Sequence, residues 1–130
     1  MASERPAPSK RIEAYFFRTA AGNEPVRNAL LDLGRPTKTV VGEDIRFVEL
    51  NWRVDKPYVD RLRSGRGEFE EPLYEVRHTV EGKEYRTLFF VCDARMILVH
   101  FFQKTSRRTP KKDIDVAWKR MKEWRASKNG

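Results

Sequence analysis

Four side chains suited to phosphate chemistry fall at strand-like spacing in the second half of the chain: Arg77, Arg86, His100 and Lys104. A basic run overlaps the last of them, since Lys104, Arg107, Arg108, Lys111 and Lys112 make five basic residues in the nine from 104 to 112. Guanidinium and ammonium groups bind phosphate oxygens and offset the extra charge of a pentacoordinate phosphorane without a metal. That suits cleavage of RNA, whose own 2′-hydroxyl attacks the adjacent phosphorus. His100 has the intrinsic pKa of a general base, whereas Lys104 needs neighbouring arginines and desolvation to lower its own. A plainer account fits the same residues: solvated strand arginines, a packing histidine and an ordinary basic helix face.

Other chemistries lack their residues. No phosphate-binding loop, nucleotide-cofactor motif or zinc-ligand spacing is present, and the two histidines, His78 and His100, have no cysteine partner near them in sequence. No cofactor and no metal are expected. No serine stands in a nucleophile-elbow context. The lone Cys92 allows no intramolecular disulfide and reads as a small buried apolar residue. The net charge of +8 favours a polyanionic partner, and its distribution is uneven. Residues 104–128 hold ten Lys/Arg against three Asp/Glu, so the excess belongs to the C-terminal end. The chain has no apolar run long enough to span a membrane and no apolar core in its first residues, so a soluble cytoplasmic protein is expected.

The elements that must position these residues follow from hydrophobic period and turn chemistry. Residues 1–10, rich in Pro, Ser and charge, read as a flexible tail before a single domain over 11–127. Arg11–Thr19 reads as a strand buried on both sides. Asn23 as cap and Pro25 in the first turn open a short helix carrying Val26, Ala29, Leu30 and Leu33. A second helix starts near Pro36 and lays Val41, Ile45, Val48 and Trp52 on one face, with a further helical turn at Lys56–Arg63. Ser64–Pro72 reads as an exposed loop. Leu73–Val80, Lys83–Cys92 and Arg95–Lys104 then form a three-stranded antiparallel meander. Thr109 as cap and Pro110 begin a C-terminal helix through Ile114, Ala117, Trp118 and Met121.

A two-residue turn at Glu81-Gly82 places Arg77 directly opposite Arg86. Such a pair either is shielded by Glu75 and Glu84 or holds an anion. The second turn decides which residues of the last strand join them: two residues give Phe101 and Gln103, three give His100, Phe102 and Lys104. Three is preferred, because it gathers Val76, Phe89, Val91, Ile97, Val99 and Phe101 on the opposite face as one apolar set. One face then becomes core and the other a basic cleft.

Leu-Tyr-Glu-Val-Arg (73–77), Tyr-Arg-Thr-Leu-Phe-Phe (85–90), His-Phe-Phe-Gln-Lys (100–104) and Arg-Arg-Thr-Pro-Lys-Lys-Asp-Ile (107–114), in that order, resemble the HigB branch of the RelE/ParE toxin superfamily, the phage Gp49-like proteins. The resemblance implies a compact α+β RelE-like fold: an N-terminal strand, a helical hairpin, the meander completing a twisted sheet, and a C-terminal helix. It also implies the toxin of a type II toxin–antitoxin pair that enters the ribosomal A site, cleaves mRNA there and is held inactive by a helix-turn-helix antitoxin. By matching positions, Arg77, Arg86 and Lys104 become catalytic candidates, with His100 where many relatives carry histidine. In this reading Arg77 and Arg86 bind the scissile phosphate, Lys104 assists an attacking or leaving oxygen, and Arg107, Arg108, Lys111 and Lys112 grip the RNA backbone. Two other readings share the residues: a ParE-like gyrase inhibitor that catalyses nothing, and a non-catalytic RNA-binding module.

Overall fold

A computed structural model describes residues 9–62 and 72–129; the first eight residues and positions 63–71, which hold most of the expected tail and loop, lie outside the described residues. The elements in chain order are β1 (Glu13–Phe16), α1 (Pro25–Leu31), α2 (Thr37–Asn51), β2 (Val59–Leu62), β3 (Leu73–Val80), β4 (Lys83–Cys92), β5 (Arg95–Lys104) and α3 (Lys111–Asn129). This is an α+β chain with one mixed five-stranded sheet in the order β1-β5-β4-β3-β2. β1 runs parallel to β5, and the other neighbours are antiparallel.

The meander has the expected bounds because both of its turns accept the left-handed backbone that two-residue hairpins need. Glu81 and Gly82 have φ of 50° and 77°, Asp93 and Ala94 of 50° and 60°. Arg77 does pair with Arg86. The second turn departs from expectation in an instructive way. It has two residues, not three, so Cys92 pairs with Arg95 and Phe90 with Ile97. A bulge then shifts the ladder between Leu88 and Phe89, after which Leu88 pairs with His100, Arg86 with Phe102 and Glu84 with Lys104. The register expected from a three-residue loop thus holds beyond the bulge, where an extra residue on β5 replaces the extra loop residue.

The bulge also redistributes the apolar residues. Val76, Phe89, Met96 and Leu98 pack against Val41, Ile45 and Val48 of α2. Ile97 and Val99, expected on that face, lie on the opposite one with Leu88 and Phe90, against Ala117, Trp118 and Met121 of α3. Both faces of the sheet are therefore cored near the 93–94 turn, and the second face is not the open cleft that alternation suggested.

Three local expectations are corrected. β1 is a four-residue edge strand whose Tyr15 is 46 % and Phe16 37 % exposed, so its aromatics reflect strand preference at an edge; Ile12 and Phe17, just outside it, supply the buried anchors. The turn expected at Lys56–Arg63 stops after one: Val59 N–H donates to the Asp55 carbonyl at 3.2 Å, and Val59–Leu62 then pairs with β3, which satisfies its backbone in a ladder and sends Val59 into the core, while Arg63 lies outside the described residues. Asn23 does not cap α1; Glu24 holds that position without a side-chain bond, and the Asn23 N–H donates to Thr19 Oγ1 at 3.0 Å. Pro25 does sit in the first turn, where its missing N–H costs nothing. At the chain's other free edge, the buried Glu49 carboxylate accepts from the Ala14 N–H at 2.8 Å and pairs with Lys10 at 3.0 Å.

Candidate functional site

Three cross-strand rows on the α3 side of the sheet carry the candidate residues. Asp60, Glu75, Leu88 and His100 form the first, running from β2 to β5. Arg77, Arg86 and Phe102 form the second, and Thr79, Glu84 and Lys104 the third. The β3–β4–β5 register thus brings Arg77 and Arg86 face to face, with Lys104 one row to one side and His100 one row to the other. Phe102 stacks on His100 at 5.4 Å between ring centroids.

The opposed arginines are shielded, as their mutual repulsion requires in a partly buried setting. Arg86, whose side chain is only 6 % exposed, donates through Nη1 to Glu84 Oε1 at 3.1 Å and to the Tyr85 carbonyl at 2.9 Å. Its Nε lies 3.8 Å from Glu75 Oε2. Arg77 donates through Nη2 to Asp60 Oδ2 at 3.2 Å. Thr79, whose hydroxyl donates to Glu84 at 2.6 Å, and then Arg86 hold the Glu84 carboxyl below the usual carboxylate range. Charge on these rows is balanced by carboxylates, and the net basic excess lies in the loop and helix beyond. One feature of the pair stays open: the buried Nε–H groups of both Arg77 and Arg86 have no hydrogen-bond partner among the described residues. Both Nε atoms are shut off from solvent, and the part of the pair that solvent reaches is the Arg77 side chain, 32 % exposed.

His100 is engaged on both sides. Its Nε2 lies 2.7 Å from Asp113 Oδ1, and Arg120 Nη1 reaches Nδ1 in a long contact of 3.5 Å while donating to the Val99 carbonyl at 2.8 Å. A guanidinium only donates, so Nδ1 accepts and Nε2–H donates to Asp113. Burial lowers the His100 pKa, with the Asp113 carboxylate opposing, and burial likewise lowers that of Arg120. The arrangement fastens the start of α3 to β5.

Thr109 does not cap α3. Its hydroxyl donates to Glu75 Oε2 at 2.7 Å, tying the end of the basic loop to β3. Arg107, Arg108, Lys111 and Lys112 are all exposed on that loop and the first turn of α3, and Lys111 pairs with Asp115 at 3.3 Å. Lys104 is half-buried at the end of β5.

Sequence reasoning missed the carboxylates Asp60 and Asp113 as partners, and it missed a second polar cluster on the α2 side. There His78, fully buried, joins Asp44 of α2 through Nδ1 and Thr87 of β4 through Nε2, both at 2.8 Å. A signal was available: Asp44 and Asp113 each fall on the apolar stripe of a helix, beside Val41, Ile45 and Val48 in α2 and Ile114 and Ala117 in α3. A carboxylate on a buried stripe calls for a buried donor. Beside Asp44, a cleft of about 250 Å³ is lined by Glu43, Phe47, Val48, Tyr58, Val76 and Arg77. Among the described residues no three His, Cys, Asp or Glu side chains gather as a metal site, and no helix is long and apolar enough to cross a membrane.

The sheet thus aligns Arg77, Arg86 and Lys104 in neighbouring rows beside a basic loop. The family model for phage-derived protein Gp49-like (DUF891) matches residues 28–122, and the chain belongs to that family, which is the family of HigB-like toxins of the RelE superfamily. No curated protein matches the chain.

Proposed function

We propose that this protein is the toxin of a type II toxin–antitoxin pair, a single RelE-like domain acting as a metal-independent, ribosome-dependent endoribonuclease on mRNA. The observation that carries the reading is the Arg77–Arg86 pair: two opposed guanidinium groups in one row, flanked by Lys104 and by four more exposed cations on the adjoining loop and the first turn of α3. The 2′-oxygen attacks phosphorus, the bond to the 5′-oxygen breaks, and the products are a 2′,3′-cyclic phosphate and a 5′-hydroxyl. One proton leaves the 2′-oxygen and one arrives at the 5′-oxygen.

In this mechanism Arg77 supplies the accessible charge at the phosphate and Arg86 supports it from beneath, because fixed cations in a partly dry site stabilise the phosphorane more than water does. Lys104 acts at the attacking or leaving oxygen. Arg107, Arg108, Lys111 and Lys112 hold the flanking phosphates, a contribution that weakens with salt. His100 enters as the residue that holds α3 against β5, since both of its ring nitrogens are bonded. A helix-turn-helix antitoxin is the proposed partner.

Induced expression in bacteria of the wild type and of Arg77→Ala/Lys104→Ala, with mRNA 5′ ends mapped by primer extension alongside growth, tests this. Growth arrest with new cuts in translated mRNA, absent in a folded double variant, is expected. Arrest with intact mRNA and a DNA-damage response means a gyrase inhibitor instead, and cutting that persists in the folded variant removes the site assignment.

A further inference from the structure

We propose that Glu75 is the positioning residue of this site, holding Arg86 and, through Thr109, the basic loop in one arrangement over the Arg77–Arg86 row. The inference rests on the ribonuclease reading and adds a residue to it. Glu75 is buried on the middle of the sheet, and a buried carboxylate is retained only where cations or donors compensate its desolvation. Its Oε2 is shared by two elements. Arg86 Nε of β4 lies 3.8 Å away, and Thr109 Oγ1 of the loop donates at 2.7 Å.

The path of the loop follows from its anchors. The chain leaves β5 at Lys104, in the row of Glu84. It is next tied at Thr109 to Glu75 on β3, and then at Asp113 to His100 on β5. Glu75, Leu88 and His100 lie in one row, so the two ties straddle β4. To reach that row from the row of Lys104 the loop passes the row of Arg77 and Arg86. One carboxylate therefore sets both the direction of the arginine beneath and the position of the cations above.

Among the described residues, the bonds that Arg86 makes to Glu84 and to the Tyr85 carbonyl both come from Nη1. Removing the Glu75 charge leaves the Nε side of the guanidinium unrestrained and its charge less masked. The consequence has opposite signs for binding and turnover: RNA is held more tightly, while the arginine and loop no longer sit in the reactive arrangement.

The experiment measures ribosome-programmed mRNA cleavage, separating kcat from KM, together with binding of a 2′-O-methyl oligoribonucleotide over a range of salt. That probe lacks the attacking hydroxyl, so binding is read without cleavage. In Glu75→Gln, kcat falls about tenfold to a hundredfold, as for a misplaced catalytic group, while KM does not rise. The salt slope of oligonucleotide binding steepens by about 0.7, the value for one added single-strand phosphate contact. In an Arg86→Met background the same substitution leaves the slope where it was, because Glu75 acts through Arg86. Unchanged kcat and slope in Glu75→Gln overturn the proposal, as does a lower melting temperature with a wild-type slope. Should Glu75→Gln not fold, Thr109→Val decides: it keeps the charge and deletes one hydroxyl, and unchanged kcat with unchanged amide exchange over residues 105–112 overturns the proposal. A wild type that binds the oligonucleotide and cuts nothing sinks the ribonuclease reading, and the slopes alone then judge Glu75. A wild type that neither binds nor cuts overturns both.

Discussion

The two faces of the sheet solve the same problem, a histidine among apolar side chains, with opposite results for what remains available. On the α2 side His78 lies fully buried between Asp44 and Thr87, and each ring nitrogen has one short partner. The carboxylate, the ring and the hydroxyl each find a partner within the cluster. On the α3 side His100 is likewise bonded twice, yet the adjacent row leaves the Arg77 and Arg86 Nε–H groups without acceptors among the described residues. The His78 ring is closed off from solvent, whereas the Arg77 side chain in the other row stays 32 % exposed. The apolar clusters do not differ in this way, since each packs sheet residues against helical residues with little exposed.

The strongest way to break this contrast is at its open side. Arg77→Ala and Lys104→Ala are each expected to lower mRNA cleavage about 10²- to 10³-fold, the loss seen when one donor to a developing anion is removed. Primer extension on variants whose circular dichroism is unchanged checks it, and wild-type cutting would move the site elsewhere. On the closed side, His78→Ala should cost about 3 kcal/mol, from the cavity and the stranded Thr87 hydroxyl, with oligonucleotide binding per folded molecule unchanged. Urea titration read beside the binding curve separates the two effects.

Acid sharpens the comparison further. Burial lowers the His100 pKa in the folded state, so below about 6.5 the unfolded chain binds the additional proton and the folded one does not. Stability is then fully present above that value and declines as pH falls toward the folded pKa. His100→Gln should flatten the decline in urea midpoints between about pH 7.5 and 5; an identical decline in the variant would assign it to other groups. The smallest effects belong to the exposed loop. Arg107→Ala or Lys112→Ala should weaken oligonucleotide binding only a few-fold and reduce its salt slope by about 0.7 each. Unchanged slopes would place the nucleic acid away from the loop.

Much of this was legible because it is local. Period-two patterning bounded by Glu81-Gly82 and Asp93-Ala94 defines the meander, since those pairs accept the turn geometry and the residues between them alternate faces. With the first turn known, Arg77 opposite Arg86 follows from counting. Val41, Ile45 and Val48 at helical spacing mark the buried stripe of α2, and Ala117, Trp118 and Met121 that of α3.

What was not legible depends on partners distant in sequence. Val59–Leu62 is too short to declare its own period, and it becomes a strand because β3 offers a free edge. The bulge opposite Leu88 and Phe89 reconciles a two-residue turn with the register that aligns His100, Phe102 and Lys104 with the arginine rows, and pattern alone treats those as alternatives. The chain's own sequence therefore determined which cations could share a face, because strand alternation and turn length are properties of neighbouring residues. Only the tertiary structure decided which of them remain open. Asp60 and Glu75 reach the arginines, and Asp113 reaches His100, from other strands and from α3, and a buried charge takes its partner from whatever the packing brings within a few ångströms.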